Sequence, residues 1–484
     1  MASYNTMESM QKRLEAIRGE LERYGQDHLL TYWPSLSASE RAPLLEQLEG
    51  QDWAELHRLI REHVTERKTV ELPDPSRVKP VPYYPFTPPE EQRETYAHAR
   101  DVGLELLRQG RVAAFTVAGG QGTRLGWDGP KGTFPATPLR RKPLFQVFAE
   151  YLLKAQQKCG KPVPWYVMTS PHNHHETCTF FERYEYFGLA QGDVTFFQQG
   201  TMPSIDASGK VLLADRGELA LNPDGHGGSL RALVRSGALD DMERRGVEQI
   251  SYFQVDNPHV RCVDPLFIGL HVLEEAEMSS KMLPKAAPDE KVGNLCQIDG
   301  RTSVIEYSDL PRELAEARTA SGALKFNAGS IAIHMLAVDF VRRLDNEAKR
   351  GAGLPFHRAD KKVSHLDVVT GERVEPGEPN AVKLEAFVFD ALPFAARSVT
   401  LETDRVEEFA PIKNAEGVDS PASSRQLQSL RAGRWLERHG VRVPFRDSQV
   451  DAVIELSHLT AIEPQDLEAV ELPNEIPAGA EVYF

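Results

Sequence analysis

Between Val112 and Phe134 the chain reads VAAFTVAGGQGTRLGWDGPKGTF, and no other stretch restricts the possible folds so sharply. The apolar, partly β-branched run Val112-Ala113-Ala114-Phe115-Thr116-Val117 lacks alternation, as expected of a parallel strand buried on both faces. Gly119, Gly120 and Gly122 follow, and without Cβ atoms the chain can turn sharply and bring bare N–H groups close to an anion. Arg124 can grip phosphate oxygens bidentately, and Lys131 adds a compact point charge. Strand, glycine turn and cations together predict a polyphosphate cradle on an α/β sheet.

Two commoner loops do not fit. A P-loop requires Gly-Lys-Ser/Thr, whereas Gly122 precedes Thr123-Arg124. In a dinucleotide fingerprint laid on Gly120 and Gly122, the third glycine would fall on Leu125.

At 484 residues the chain exceeds the size of a single core, so two or three domains are expected. A hydrophobic share of 41% without any apolar run of about 18 residues argues against a membrane span. The net charge of −15 argues against nucleic acid as a partner, although a local basic pocket can still hold phosphates. Met1-Ala2-Ser3-Tyr4 shows no basic segment leading into an apolar one, so no secretory signal is expected. Cys159, Cys178, Cys262 and Cys296 lack paired metal or redox spacing and read as thiols of a reducing cytoplasm.

Helical spacing of Leu14, Ile17, Leu21 and Tyr24 predicts a helix from Ser9 to about Leu30, and a second helical stretch follows, capped by Ser39 and broken near Gly50. Prolines between Leu72 and Pro89 predict an extended connector. Helices over Leu144–Lys158 and Glu176–Phe187 alternate with strands at Pro164–Ser170, Val194–Phe197 and Ile250–Val255, predicting an α/β sheet with its ligand site at the strands' carboxyl ends. The expected divisions are a helical N-terminal region with its connector (1–89), a core (90–397) and a small C-terminal domain (398–484).

Asp256 and Asn257 directly follow the strand Ile250–Val255, where a carboxylate is a natural Mg²⁺ ligand beside a nucleotide's phosphates; the alternative is a cap after the strand. His226, between Gly225 and Gly227, has little neighbouring bulk in sequence, so a hydrogen bond to a ligand hydroxyl competes with a solvent-facing ring. Gln198-Gln199 could pair with the two-sided edge of a uracil or form a plain polar turn. Glu306-Tyr307-Ser308 and Asn327-Ala328-Gly329-Ser330 place a carboxylate and amides at strand ends, where sugar hydroxyls could be held. Lys383 and Lys413, read alone, are surface lysines. His172, His174 and His175 lack a complete metal-ligand set and read as an exposed loop or helix start.

Ala-Gly-Gly-Gln-Gly-Thr-Arg-Leu-Gly followed by Pro130-Lys131-Gly132 resembles the signature of sugar-nucleotide pyrophosphorylases. Together with the later motifs, in order from about Leu29 to Asn414, the chain resembles the eukaryotic-type UDP-sugar pyrophosphorylase family, most closely its UDP-N-acetylglucosamine branch. The resemblance implies a Rossmann-like nucleotidyltransferase core with a mixed, mostly parallel GT-A-like sheet, flanked by N- and C-terminal pieces. It implies that UTP and a sugar 1-phosphate give UDP-sugar and pyrophosphate with Mg²⁺. Carried over, Ala118, Gly119 and Gly120 would contact the uridine and phosphates, and Gln199 and Gly225 would read uracil. Arg124 and Lys131 would stabilise departing pyrophosphate, Asp256 would bind Mg²⁺, and Lys383 and Lys413 would touch phosphate oxygens.

The departures concern the sugar. His226 stands where N-acetylglucosamine enzymes carry Asn and resembles the Gly-His-Gly of UDP-glucose pyrophosphorylases, and Ser330 replaces a second Asn. Glu306-Tyr307-Ser308 resembles the N-acetylhexosamine branch instead. N-acetylglucosamine 1-phosphate is therefore the expected sugar, with glucose 1-phosphate the alternative. A nucleotide-sugar-binding regulator without turnover is a reading of another class, opposed by the presence of Arg124, Lys131 and Asp256.

Overall fold

The computed structural model describes residues 2–67, 74–351 and 353–484. By internal contacts the chain falls into two units. One gathers Met1–Glu71, Gly200–Gly228 and Leu354–Val388; the other gathers Leu72–Gln199, Ser229–Gly353 and Phe389–Phe484.

The larger unit is built on a 10-stranded sheet. Its parallel half contains Val112–Val117, Trp165–Thr169, Val194–Gln198 and Gln249–Gln254, the last beside the first. Helices Leu144–Cys159 and His174–Arg183 make the first two crossovers. Phe115, Trp165, Val167 and Met168 are fully buried, as the unbroken apolar runs require of strands covered on both faces. Beyond Gln249–Gln254 the sheet turns antiparallel: Ala328–Ala337 pairs with it, and Asn294–Ile298 and Met278–Pro284 pair with Ala328–Ala337. Within the expected proline-rich connector, Leu72 and Pro73 lie outside the described residues, while Val78–Pro80 is a strand on Asn294–Ile298 and Tyr84 exchanges backbone bonds with Thr400 and Glu402.

The helix expected over Glu176–Phe187 runs from His174 to Arg183 instead. Glu185, Tyr186 and Phe187 then take left-handed φ of 49, 53 and 54°, an uncommon run that leaves Phe187 stacked on Tyr184 with centroids 5.6 Å apart. Within this unit the C-terminal residues gather their own cluster around Trp435, Leu436, Ile454 and Leu467. Phe484 exchanges backbone hydrogen bonds with Glu455 and Ser457.

In the smaller unit, Leu14, Ile17, Leu21, Leu44, Leu48, Trp53, Leu56 and Ile60 pack against Ile205, Leu213, Val382 and Leu384. The first helix ends at Arg23 rather than near Leu30, because Gly25 adopts φ 67° and Asp27–Leu30 forms a 3₁₀ turn. Ser37, not Ser39, caps the next helix, in a capping box with Glu40. Buried Gln26 donates to the Gly209 carbonyl and accepts from Val211 N–H, tying the helical segment to a distant hairpin.

Candidate active site

In space the parallel strands run Val194, Trp165, Val112, Gln249, so the winding direction reverses between Val112–Val117 and Gln249–Gln254. Such a reversal opens a crevice at the strands' carboxyl ends, where doubly wound sheets bind ligands. The residues delivered there are Ala118 from one strand and Val255-Asp256 from the other, joined by Val255 N–H donating to the Val117 carbonyl at 3.1 Å.

The glycine loop is held from beneath by Asn173, a buried residue at the start of the His174 helix. Its amide nitrogen donates to the Ala118 and Gly120 carbonyls at 2.9 and 3.3 Å, and its oxygen accepts from Ser170 N–H at 2.8 Å. At Gly119, between those two carbonyls, a Cβ would stand 2.1 Å from Oε1 of Gln199, so any side chain there would have to displace that amide. The buried Gln199 amide therefore lies directly on the loop, as a base-reading role requires. The chain then folds back, with Gly122 N–H on the Gly129 carbonyl and Lys131 N–H on the Gly120 carbonyl. This leaves Arg124 exposed and brings Lys131 Nζ to 3.8 Å from Asp256 Oδ2.

A second clamp holds the metal candidate. Asn257 Nδ2 donates to the Glu408 carbonyl, and its Oδ1 accepts from His259 and Ala410 N–H groups, while Ile412 N–H reaches the Asp256 carbonyl at 2.8 Å. The segment leading to Lys413 is thus fastened to the strand end carrying Asp256. Lys413 lies over the Phe409 ring at 5.4 Å, and the Asp419 carbonyl accepts from Lys413 and Asn414 N–H groups. Beneath the clamp, Lys281, only 1% exposed, donates to both Asp264 and Glu408. Burial raises the Asp264 carboxyl, but Lys281 and Arg261 outweigh it and hold the group at about 2.

Glu306 and Ser330 both lie beside Gly293 at another corner of the same sheet. A Cβ on Gly293 would lie 3.6 Å from Glu306 Oε1 and 3.9 Å from Ser330 Cβ. Tyr307, 46% exposed, follows Glu306.

Gly225, His226 and Lys383 belong to the smaller unit. There Asp224 N–H donates to the Gly200 carbonyl, Gly227 N–H donates to the Ala386 carbonyl, and Gly225 has φ 84° with the Ala386 backbone where a Cβ would stand. His226 is not short of packing partners: its ring stacks on Phe387 at 5.2 Å, and Nδ1 accepts from Val388 N–H. Burial, with His357 nearby, lowers its pKa to about 4, so the imidazole is neutral. Lys383 is half-buried on Ala381–Ala386, and burial lowers its pKa. His174 starts its helix as expected, but its ring is engaged, with Nδ1 2.8 Å from the Thr169 hydroxyl.

The larger unit thus brings together Ala118, Gly119, Gly120, Gln199, Lys131 and Asp256, and separately sets Glu306 and Ser330 near Gly293. The roles of Asn173 and Asn257 leave no periodic mark in the sequence, because each acts through carbonyls far away in the chain. The available signal was an Asn just after a strand, next to or within a few residues of a candidate ligand.

Comparison with known proteins agrees with this geometry. The model of the UTP–glucose-1-phosphate uridylyltransferase family matches residues 55–457. The chain is 38% identical to human UDP-N-acetylhexosamine pyrophosphorylase-like protein 1, over 93% of this chain and 94% of that protein. It is 36% identical to the Saccharomyces cerevisiae UDP-N-acetylglucosamine pyrophosphorylase, over 87% and 90% of the two chains. The Trypanosoma brucei uridine diphosphate N-acetylglucosamine pyrophosphorylase, solved with an inhibitor, superposes with a TM-score of 0.80 at 27% identity, covering 96% of this chain and 97% of that one. With its family signature spanning most of the sequence and its loop, strand-end carboxylate and sheet order in place, the chain belongs to the UDP-sugar pyrophosphorylase family.

Proposed function

We propose that this protein is a uridylyltransferase that makes UDP-N-acetylglucosamine and pyrophosphate from UTP and N-acetylglucosamine 1-phosphate. The observation that carries the reading is the Ala118–Gly120 loop at the sheet's switch point, with Gln199 laid on Gly119 and Lys131 beside Asp256. The attacking sugar-phosphate oxygen is already anionic, so in-line displacement at the α-phosphorus needs alignment and charge neutralisation rather than a general base. The loop's N–H groups and Gln199 orient the nucleotide, and Lys131 and Arg124 neutralise the β- and γ-phosphates as they leave. Lys413 binds phosphate oxygens. Glu306, Tyr307 and Ser330 bind the sugar phosphate.

The donor set fits Mg²⁺. Asp256 offers one hard carboxylate, the described residues contain no cluster of three or more His, Cys, Asp or Glu able to cage a metal, and Mg²⁺ keeps most of its sites for water and phosphate oxygens. Bound there, it would withdraw charge from the phosphate oxygens. No helix among the described residues is long and apolar enough to cross a membrane.

His226 favours a second reading, with glucose 1-phosphate as substrate. Release of pyrophosphate from UTP, measured with each sugar 1-phosphate, tests both. A higher kcat/KM for the acetamido sugar supports the proposal; preference for glucose 1-phosphate supports the second reading, and silence with both rejects the activity.

A further inference from the structure

The corner that carries Glu306 and Ser330 also holds a cation with no role above. Lys285 follows the strand Met278–Pro284, and its N–H donates to the Asn327 carbonyl at 2.8 Å, so it runs alongside Ala328–Ala337. Register sets Leu283 opposite Gly329, and Asn294 opposite both Gly329 and Ile305, the residue before Glu306. The Lys285 stem passes Gly329, where a Cβ would lie 3.4 Å from its Cγ, and its ammonium donates to Asn294 Oδ1 at 2.5 Å. Asn294 faces inward as well, and its amide nitrogen points at the Val292 and Ile305 carbonyls.

Lys285 is 7% exposed, yet among the described residues it forms no ion pair. Burial lowers its pKa, and the nearby Glu290 offsets this only in part, its own carboxylate engaged by Arg405 and the Ala286 N–H. A buried ammonium whose one partner is a neutral amide lowers the stability of the fold, and an apolar side chain of the same length would not. The residue type is accounted for once an anion joins it.

We infer that Lys285, oriented by Asn294, binds the phosphate of the sugar 1-phosphate, so that Lys285, Asn294, Glu306 and Ser330 form one sugar-phosphate subsite. This rests on the uridylyltransferase reading, which supplies the anion. Glu306 and Ser330 then meet the pyranose, while Lys285 holds the charge that positions the attacking oxygen.

The test compares wild type with Lys285→Met and Lys285→Arg. In Lys285→Met, KM for N-acetylglucosamine 1-phosphate should rise about 10- to 100-fold, the scale of a lost charge-assisted hydrogen bond, while KM for UTP holds. The melting temperature without ligand should stay level or rise, because an uncompensated charge has left the interior. Lys285→Arg should recover part of the sugar-phosphate affinity. A fall in melting temperature with both KM values moving together, or no change in either KM, overturns the inference. If wild type turns over neither sugar 1-phosphate, the activity reading has failed, and calorimetry decides the subsite alone. Heat from N-acetylglucosamine 1-phosphate binding that disappears in Lys285→Met sustains it, and equal heats or none in wild type reject it.

Discussion

Replacing Gly119 by Ala is a small change with a specific consequence. The new methyl would stand 2.1 Å from Gln199 Oε1, 3.1 Å from Gln199 Cδ and 3.5 Å from Ser170 Cβ. Only the first contact is impossible, and it falls on the end of a flexible side chain, so the loop can stay and the Gln199 amide must leave. If that amide reads the uracil edge, the substitution removes its hydrogen bonds while the loop's backbone N–H groups remain. A lost uncharged hydrogen bond amounts to about 0.5–1.5 kcal/mol and a buried group left unmatched to about 1–3 kcal/mol. The expected rise in KM for UTP is therefore about 2- to 140-fold, taking 1.4 kcal/mol per factor of ten. The melting temperature should move by only a few degrees. The assay is steady-state pyrophosphate release with UTP varied, in wild type, Gly119→Ala, Gln199→Ala and the double variant. Because both changes act through one amide, the double variant should match Gln199→Ala alone. Additive effects, or a Gly119→Ala enzyme with unchanged KM for UTP, would show that the Gln199 amide does not read the base.

Lys131→Ala removes a cation aimed at charge that develops on the leaving group, so kcat should fall about 10²-fold or more with native melting behaviour; an unchanged kcat rejects the role. Asn257→Ala releases the Glu408 carbonyl and the Ala410 N–H from the strand end, and should lower kcat more than it raises either KM; equal loss of stability and activity would instead mark a purely structural residue. Lys281→Met leaves Asp264 and Glu408 buried without their cation and should destabilise the protein by about 3–5 kcal/mol in denaturant titration. Asp264 is held below its unfolded value, so its contribution is complete above about pH 4 and is lost as pH falls toward its folded value of about 2, steepening acid unfolding in wild type relative to Asp264→Asn. His226→Asn removes the stack on Phe387, worth about 0.5–1.5 kcal/mol, and should shift preference toward the acetamido sugar; an unaltered kcat/KM ratio shows that the ring only packs.

What could be read in the sequence was local. The Val112 strand and its glycine turn announce themselves because burial on both faces and the need for bare backbone leave few alternative residues. Asp256 was legible for a related reason: a polar residue that ends an apolar run must emerge where the strand does. Side chains that serve distant backbone were not legible. Asn173 grips carbonyls 53 and 55 positions away, and Asn257 a carbonyl 151 away, and neither leaves a periodic trace. His226 misled because its glycine neighbours suggested open space, whereas Phe387 and Val388 fill it from across the chain. The interleaving of the two units escaped for the same reason, since strand pairs such as Ile205 with Val382 follow from tertiary packing and not from any local pattern. Ser37 displaced Ser39 as a cap because only Ser37 has Glu40 three residues on.

In the proposed reaction Ala118–Gly120, Lys131 and Asp256 support attack on the α-phosphorus of UTP by a sugar phosphate. Following label from UTP tests this most directly, with N-acetylglucosamine 1-phosphate and Mg²⁺ present. α-Labelled phosphorus should enter UDP-N-acetylglucosamine while γ-labelled phosphorus leaves as pyrophosphate. Label released as free phosphate, α-label recovered without the sugar, or no transfer with either sugar 1-phosphate would contradict it.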